Sequence, residues 1–243
     1  MREQPWHKRN ASTEHYRLYQ NILDLHELTL EWLKQVSVDK PSSFIKKTTN
    51  PALVQTLFSL ENLLDRFNTD ATLDSALDDT SPNDLLSRLE YLVSVIQAWS
   101  LTSLLASVTK DEVPALLNQL EQASWKAGRA CALDRWPSKQ SNNLTNLSEV
   151  LLALKDTPII ERRPTRGCLV KRATENELWL ELLDCPHKSP FVEVREAADK
   201  ICCLYTHWIR GFAYRFNTKI VIEHKMNDSG SPKNCEQIWL LNQ

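Results

Sequence analysis

Thiol and imidazole side chains are concentrated in one stretch of this chain, from Glu177 to Leu241. The stretch holds four of the six cysteines and three of the six histidines, namely Cys185, Cys202, Cys203, Cys235, His187, His207 and His224. Thiolates and neutral imidazoles are common zinc ligands, and a thiol beside an imidazole is also the core of a cysteine nucleophile. We therefore expect a functional site in this stretch.

Cys203 and His207 are four residues apart in a predicted helix, so they share one face of it. An imidazolium lowers the pKa of a neighbouring thiol, which would make this pair the catalytic residues of a cysteine-dependent enzyme. The same two side chains can instead donate sulfur and nitrogen to zinc. The third interpretation is a core thiol and a surface histidine, and the sequence leaves all three open.

A second set of candidate ligands surrounds Cys185 and His187, which flank a proline at the end of a predicted strand. With residues from the following helix and strands, four zinc ligands could be drawn from Cys185, His187, Cys202 or Cys203, His207, His224 and Cys235. His224 follows Ile220 and Ile222 on one strand face, so it is equally a candidate core histidine. The alternative for the thiols is packing, because unpaired cysteines usually serve as small core residues.

Aromatic residues provide candidates for a ligand-binding cavity. The chain has eight tryptophans, a high number for 243 residues. We predict that Trp125, Trp208 and Tyr214 bind a small-molecule ligand or cofactor. Packing around a hydrophobic core is the alternative for each of them.

Composition excludes several classes of protein. Four glycines and no glycine-rich phosphate loop argue against nucleotide binding of that type, and a net charge of −2 argues against nucleic acid as a partner. No uninterrupted apolar run reaches the roughly 18 residues of a membrane helix. The polar start of the sequence is unlike a signal peptide, so we expect a cytoplasmic protein without a membrane span, its cysteines present as thiols.

The first half of the chain has helical periodicity. Helices are predicted over about 12–36, from Asn50-Pro51 to Phe67, and from Ser81-Pro82 through a broadly apolar segment. The capping box Thr109-x-x-Glu112 opens a helix that ends near Trp136. Small residues along this last helix, including Gly128, indicate that another element approaches it closely.

The second half changes to a two-residue period after a short helix at about 147–155. Strands are predicted around 159–160, 167–170, 178–182, 220–224 and 237–241, with a helix at about 191–215 between them. Arg162, Arg163, Arg166, Lys171 and Arg172 indicate either an anion site or a charged edge strand. The predicted fold class is α+β, with a helical region over 1–108 and a domain with an antiparallel sheet packed on helices over 109–243.

The order of motifs in residues 110–243 resembles a known family. The helix ASWKAGRA, a strand ending in LLDCP, the helix from Cys202 to Gly211, the strand IVIEH and the turn from Gly230 to Cys235 follow one another. This order resembles the 4-vinyl-reductase-type domain, in the superfamily that includes the subunits of the TRAPP tethering complex. It is more distantly similar to the aminothiazoline-carboxylate hydrolases.

The resemblance implies a small-molecule-binding domain with Cys185, Cys202 and Cys235 as metal ligands. Met226 and His207 stand where the family has a cysteine and a glycine, so the ligand set is altered. We expect a sensor or regulatory module that binds a small molecule or zinc and acts as a homodimer or with a protein partner. The alternatives are a cysteine-dependent hydrolase of a small amide or thiazoline-like substrate, and a pure interaction protein.

Overall fold

The computed structural model describes residues 13–34, 82–106, 108–136, 146–155, 157, 168–183, 195–226 and 234–242. The helices are α1 (Thr13–Lys34), α2 (Pro82–Ala106), α3 (Val113–Arg135), α4 (Leu147–Lys155) and α5 (Arg195–Phe216). The strands are β1 (Cys168–Ala173), β2 (Glu177–Leu183), β3 (Ile220–Met226) and β4 (Asn234–Leu241). Helices with an antiparallel sheet confirm the predicted α+β class. The predicted helix at 51–67 and strand at 159–160 lie outside the described residues.

The chain divides into two compact units, Met1–Ser100 and Leu101–Gln243. In the first unit, the side-chain amide of Gln97 donates a buried hydrogen bond of 2.9 Å to the carbonyl oxygen of Leu25. The hydroxyl of Thr29 donates to the same oxygen at 3.0 Å. Most of the buried side chains of α2 are apolar, including Leu89, Val93 and Ile96, and the polar side chains Glu90, Ser94 and Ser100 are buried with them. The prediction that α2 is covered on several sides is confirmed.

One helix of the described residues is long and apolar enough to cross a membrane by length and composition. The segment Leu89–Ala106 of α2 has a mean hydropathy of 1.3 over 18 residues. Polar residues interrupt this segment, so the sequence has no unbroken apolar run there. Because 67 % of this segment is buried inside the protein, it has the character of the core helix of a globular domain.

The four strands form one antiparallel sheet in the order β1-β2-β4-β3. Alternate residues face the helices, so Leu180, Ile222 and Trp239 are fully buried. β1 is an edge strand, and its exposed Lys171 lies 2.9 Å from Glu181 of β2 and 3.5 Å from Glu236 of β4. The structure thus favours the charged-edge interpretation at Lys171. Arg162, Arg163 and Arg166 lie outside the described residues.

Helices α3 and α5 form the main helix contact of the second unit. Contacts advance in the same chain direction on both, from Glu121 with Cys203 to Gly128 with Trp208 and then Trp136 with Phe216, so the helices run parallel. A Cβ added at Gly128 would lie 2.0 Å from the carbonyl oxygen of Trp208. The two backbones therefore touch directly, as the small residues of α3 predicted.

Two hydrogen bonds form in the turn that precedes α3. The carboxylate of Glu112 accepts hydrogen bonds of 2.8 Å from both the backbone N–H and the hydroxyl of Thr109. These bonds, the backbone one first, lower the pKa of Glu112. The carboxylate-to-N–H bond of the capping box predicted at Thr109-x-x-Glu112 is therefore present, but it lies in the turn before the helix. α3 begins at Val113, its N-cap residue is Glu112, and no side-chain hydrogen bond caps it.

Candidate functional site

A carboxylate, a thiol and an imidazole meet where α3 lies against α5. Oε1 of Glu121 is 3.7 Å from Sγ of Cys203, and Oε2 of Glu121 is 3.6 Å from Nε2 of His207. One potential ligand atom from each of the three residues lies within 4.8 Å of the others. Glu121 and His207 are half-buried, and Cys203 is exposed. The predicted pair on α5 is therefore completed by an acid from another helix.

Arg210 connects this cluster to the sheet. Its Nη1 lies 3.3 Å from Nε2 of His207, and its Nε donates a 2.8 Å hydrogen bond to the carbonyl oxygen of Ile222 in β3. A guanidinium has no lone pair to accept with, so in this contact Arg210 donates and Nε2 of His207 accepts. The same Nε2 is the ring nitrogen that lies 3.6 Å from Oε2 of Glu121.

The ionisation of Cys203 and His207 depends on their burial and on the neighbouring charges of Glu121 and Arg210. Burial lowers the pKa of His207, Glu121 opposes this effect, and Arg210 adds to it. Burial also raises the pKa of the Cys203 thiol, and Glu121 raises it further while Arg210 opposes the change. A neutral imidazole beside a protonated thiol is the reverse of the imidazolium and thiolate that an activated nucleophile needs.

A cavity of about 280 Å³ opens beside the cluster. Its walls come from one face of α3 and from α5, and are Asn118, Glu121, Gln122, Trp125, Lys126 and His207. The side-chain amide of Gln122 donates a 3.3 Å hydrogen bond to Oδ1 of Asn118, which orders the polar wall. The cavity is slightly smaller than typical small-molecule sites and combines one aromatic wall with polar groups.

Trp125 is held by contacts on the far side of the cavity. Its ring meets that of Tyr214 edge-on at 5.2 Å between centroids, and the guanidinium of Arg129 lies 5.6 Å from its centroid. Of the three predicted ligand-binding aromatics, Trp125 alone is among the residues that line the cavity, and Tyr214 contacts Trp125 without lining it. Trp208 is 2 % exposed and stacks on Phe212, so it packs in the core and is not a wall of this cavity.

The predicted zinc ligands have different outcomes. Cys185 and His187 lie outside the described residues, and for Cys235 only the backbone, in β4, is described. Cys202 and His224 are half-buried on α5 and β3. Among the described residues, the cluster of three potential ligands contains neither of them. It contains Cys203 and His207, the pair for which the sequence leaves catalysis, zinc binding and packing open.

Glu121 is the residue that sequence reasoning missed. Asp184, Asp199 and Glu223 are acids that lie nearer to His207 in the sequence, so proximity along the chain does not indicate Glu121. Glu223 is exposed on the strand face that points away from the helices. A usable signal was present, because Glu121, Ser124 and Gly128 follow one another at helical spacing on the small-residue face of α3.

The donor set and its spacing fit a zinc ion. Thiolate, imidazole and carboxylate are the three side-chain ligands that zinc takes in proteins. With bonds of about 2.0–2.3 Å, a tetrahedral centre places neighbouring ligand atoms roughly 3.3–3.7 Å apart. The separations of 3.7 Å and 3.6 Å are close to this range. They involve the two different oxygens of Glu121, and one ligand atom from each of the three residues lies within 4.8 Å of the others.

Comparisons with protein-family models, with curated proteins and with solved structures find no match to this chain.

Proposed function

We propose that this protein is a zinc-binding regulatory module of the vinyl-reductase type, with its metal site at Glu121, Cys203 and His207. The observation that carries the proposal is the meeting of three chemically different zinc ligands within 4.8 Å at the contact of two helices. Each ligand comes from a helix whose position is set by backbone contact, so the site is pre-organised. Zinc held there would supply a Lewis acid and a fixed positive charge beside the cavity.

Arg210 supports a regulatory role. Its Nη1 contacts the same His207 nitrogen that would bind the metal, while its Nε is hydrogen-bonded to β3. A metal on Nε2 takes the lone pair that Arg210 uses, so the guanidinium must move or lose this contact. Occupancy of the site would thereby be transmitted to β3 and to the sheet.

The order of elements supports the proposed family relationship. From α3 onward the chain has a short helix, two strands, α5 and two more strands, which is the order of the motifs that resemble the vinyl-reductase-type domain. Homodimer formation belongs to the same proposal. Light scattering of the purified full-length protein tests it, because a monomer at all concentrations would contradict it.

The metal site is tested with Zn²⁺ and with Co²⁺ as its spectroscopic substitute, added to the full-length protein. Bound Co²⁺ with one thiolate ligand gives a near-ultraviolet sulfur-to-metal band and visible bands typical of low coordination number. The expected stoichiometry is one metal per chain. Cys203→Ser should abolish the sulfur band, and Glu121→Gln and His207→Gln should each weaken binding at least about tenfold.

The neighbouring thiol provides a matched control. Cys202→Ser changes the same atom one residue away on α5, outside the cluster, and should leave the cobalt spectrum unchanged. Loss of the band in Cys202→Ser and its retention in Cys203→Ser would reject this site in favour of the other predicted ligand set. Absence of any metal binding by the wild-type protein would reject the zinc proposal.

A further inference from the structure

The cluster supplies three protein ligands, which is one fewer than a closed structural zinc site has. Structural zinc sites in proteins hold four protein ligands, whereas sites with three keep one position for water or an exogenous molecule. Among the described residues, no further thiol, imidazole or carboxylate joins Glu121, Cys203 and His207. The adjoining space is the cavity between α3 and α5, whose wall includes two of the three ligands.

The charges around the cavity favour an anion. A zinc ion with one thiolate and one carboxylate is neutral in sum. Lys126 lines the cavity, and Arg210 lies against His207, so two positive charges remain without a counterpart in the cluster. An exogenous anion both completes the metal coordination and balances these charges.

The other residues that line the cavity indicate the chemistry of the rest of the ligand. Trp125 offers an aromatic surface, while Asn118 and Gln122 offer amide groups along one side. Tyr214 and Arg129 hold the indole in position, so it is a rigid wall. A volume of about 280 Å³ is larger than a water or acetate needs and matches a small ring compound.

We propose that the cavity binds a small organic carboxylate with a flat apolar body. Its carboxylate occupies the open metal position and pairs with Lys126, and its ring lies against Trp125. This inference rests on the proposed zinc site. It makes the protein a receptor for such a carboxylate, with the metal as part of the recognition surface.

The test uses the Co²⁺-loaded full-length protein and three probes: benzoate, acetate and benzamide. Benzoate should change the visible cobalt bands in a saturable way. Acetate lacks the ring and should bind at least about tenfold more weakly, because burial of the ring is lost. Benzamide has the ring and shape of benzoate without its charge, and it should leave the spectrum unchanged.

Variants of Lys126 and Trp125 test separately how the carboxylate and the ring of the ligand are recognised. Lys126→Met should weaken benzoate and acetate alike, by roughly three- to tenfold. Lys110→Met removes an exposed lysine from the turn before α3, away from the cavity walls, and should have no effect. Trp125→Ala should weaken benzoate and leave acetate unchanged. Circular dichroism and the cobalt spectrum before addition of any carboxylate establish that each variant is folded and loaded.

The outcomes separate this inference from the metal site itself. A normal cobalt spectrum that benzoate does not change overturns the carboxylate receptor and leaves the zinc site standing. Equal effects of Lys126→Met and Lys110→Met, or equal affinity for benzoate and acetate, overturn the assigned recognition mode. If cobalt gives no thiolate band in the wild-type protein, both proposals fail together.

Discussion

Glu121 of α3 and His207 of α5 approach each other to 3.6 Å, measured from Oε2 to Nε2, although they lie far apart in the sequence. The approach depends on two glycines that let the helices touch. A Cβ on Gly128 or on Gly211 would lie 2.0 Å or 1.9 Å from a carbonyl oxygen of the other helix. The chemistry of the site is therefore a consequence of backbone packing a turn or two away.

The first prediction concerns that packing. In an open helix, Gly→Ala stabilises by about 1 kcal/mol because alanine is the better helix former. In Gly128→Ala the new methyl group meets the backbone of Trp208, which cannot move without shifting α5. We expect destabilisation by about 3 kcal/mol, measured by urea unfolding, together with loss of cobalt binding. Ala130→Ser, exposed on the same helix, should change neither property; a stabilised Gly128→Ala would show that the helices do not touch.

The reactivity of Cys203 gives a second prediction. Burial raises the pKa of this thiol, and the carboxylate of Glu121 raises it further. Alkylation by iodoacetamide at pH 7.5 should therefore be slower than for an ordinary exposed thiol, and it should keep rising as pH increases through 9. Glu121→Gln should accelerate it roughly threefold by removing the charge. Glu223→Gln, which removes an exposed carboxylate from the opposite face of the sheet, is the matched control.

Peptide mapping by mass spectrometry distinguishes Cys203 from the adjacent Cys202 in this experiment. Fast alkylation of Cys203 that levels off below pH 8 would contradict the prediction. Such a profile would favour the alternative hypothesis of a cysteine-dependent hydrolase, because that mechanism needs a thiolate at neutral pH.

A third prediction comes from the first unit of the chain. Burial lowers the pKa of His26 to about 4, and its Nδ1 has no hydrogen-bond partner. As pH falls below about 6.5, the unfolded chain takes up a proton that the folded chain excludes, so stability decreases until the pH reaches about 4. The total loss from this group is about 3 kcal/mol at most.

His26→Leu tests this dependence. The difference in the free energy of unfolding between pH 7 and pH 4.5 should be smaller in the variant than in the wild-type protein by roughly 2 kcal/mol. If His26→Leu loses as much stability on acidification as the wild-type protein, His26 is not the group responsible.

The sequence predicted what depends on local pattern. The bounds of α1 and α4, the hydrogen bond between Thr109 and Glu112, and the α+β class follow from periodicity and capping chemistry within a few residues. The shared face of Cys203 and His207 has the same origin. These features are determined by neighbours within about one helical turn.

Glu121 was not predicted, because its relation to His207 depends on the register of two helices. Periodicity identifies a face of α3 but does not specify which turn of α5 lies against it. The pair Gly128 and Gly211 sets this register through direct backbone contact. Similarly, Trp208 is buried and Tyr214 is exposed because they occupy different positions on α5. The aromatic residue type alone does not specify which of the two is buried.

The last prediction concerns Arg210. Its removal distinguishes a metal site from a cluster that is held together by ion pairs alone. Its guanidinium contacts His207 at 3.3 Å and would repel a cation bound there. Removing it in Arg210→Met should tighten zinc binding about tenfold, measured by competition with a chromophoric chelator. Lys219→Met, an exposed lysine before β3, should leave the affinity unchanged. Weaker binding in Arg210→Met would instead identify Arg210 as the group that positions His207.

The Arg210→Met variant also tests whether zinc binding at the cluster affects the sheet. Arg210 holds the carbonyl oxygen of Ile222 at 2.8 Å, so displacement of its other contact by zinc should alter hydrogen exchange in β3. We expect zinc to change the exchange rates of β3 amides in the wild-type protein and to leave them unchanged in Arg210→Met. If zinc binds to both proteins and changes β3 equally, the signal does not pass through Arg210. If it binds and changes β3 in neither, the site is structural and the regulatory role is rejected.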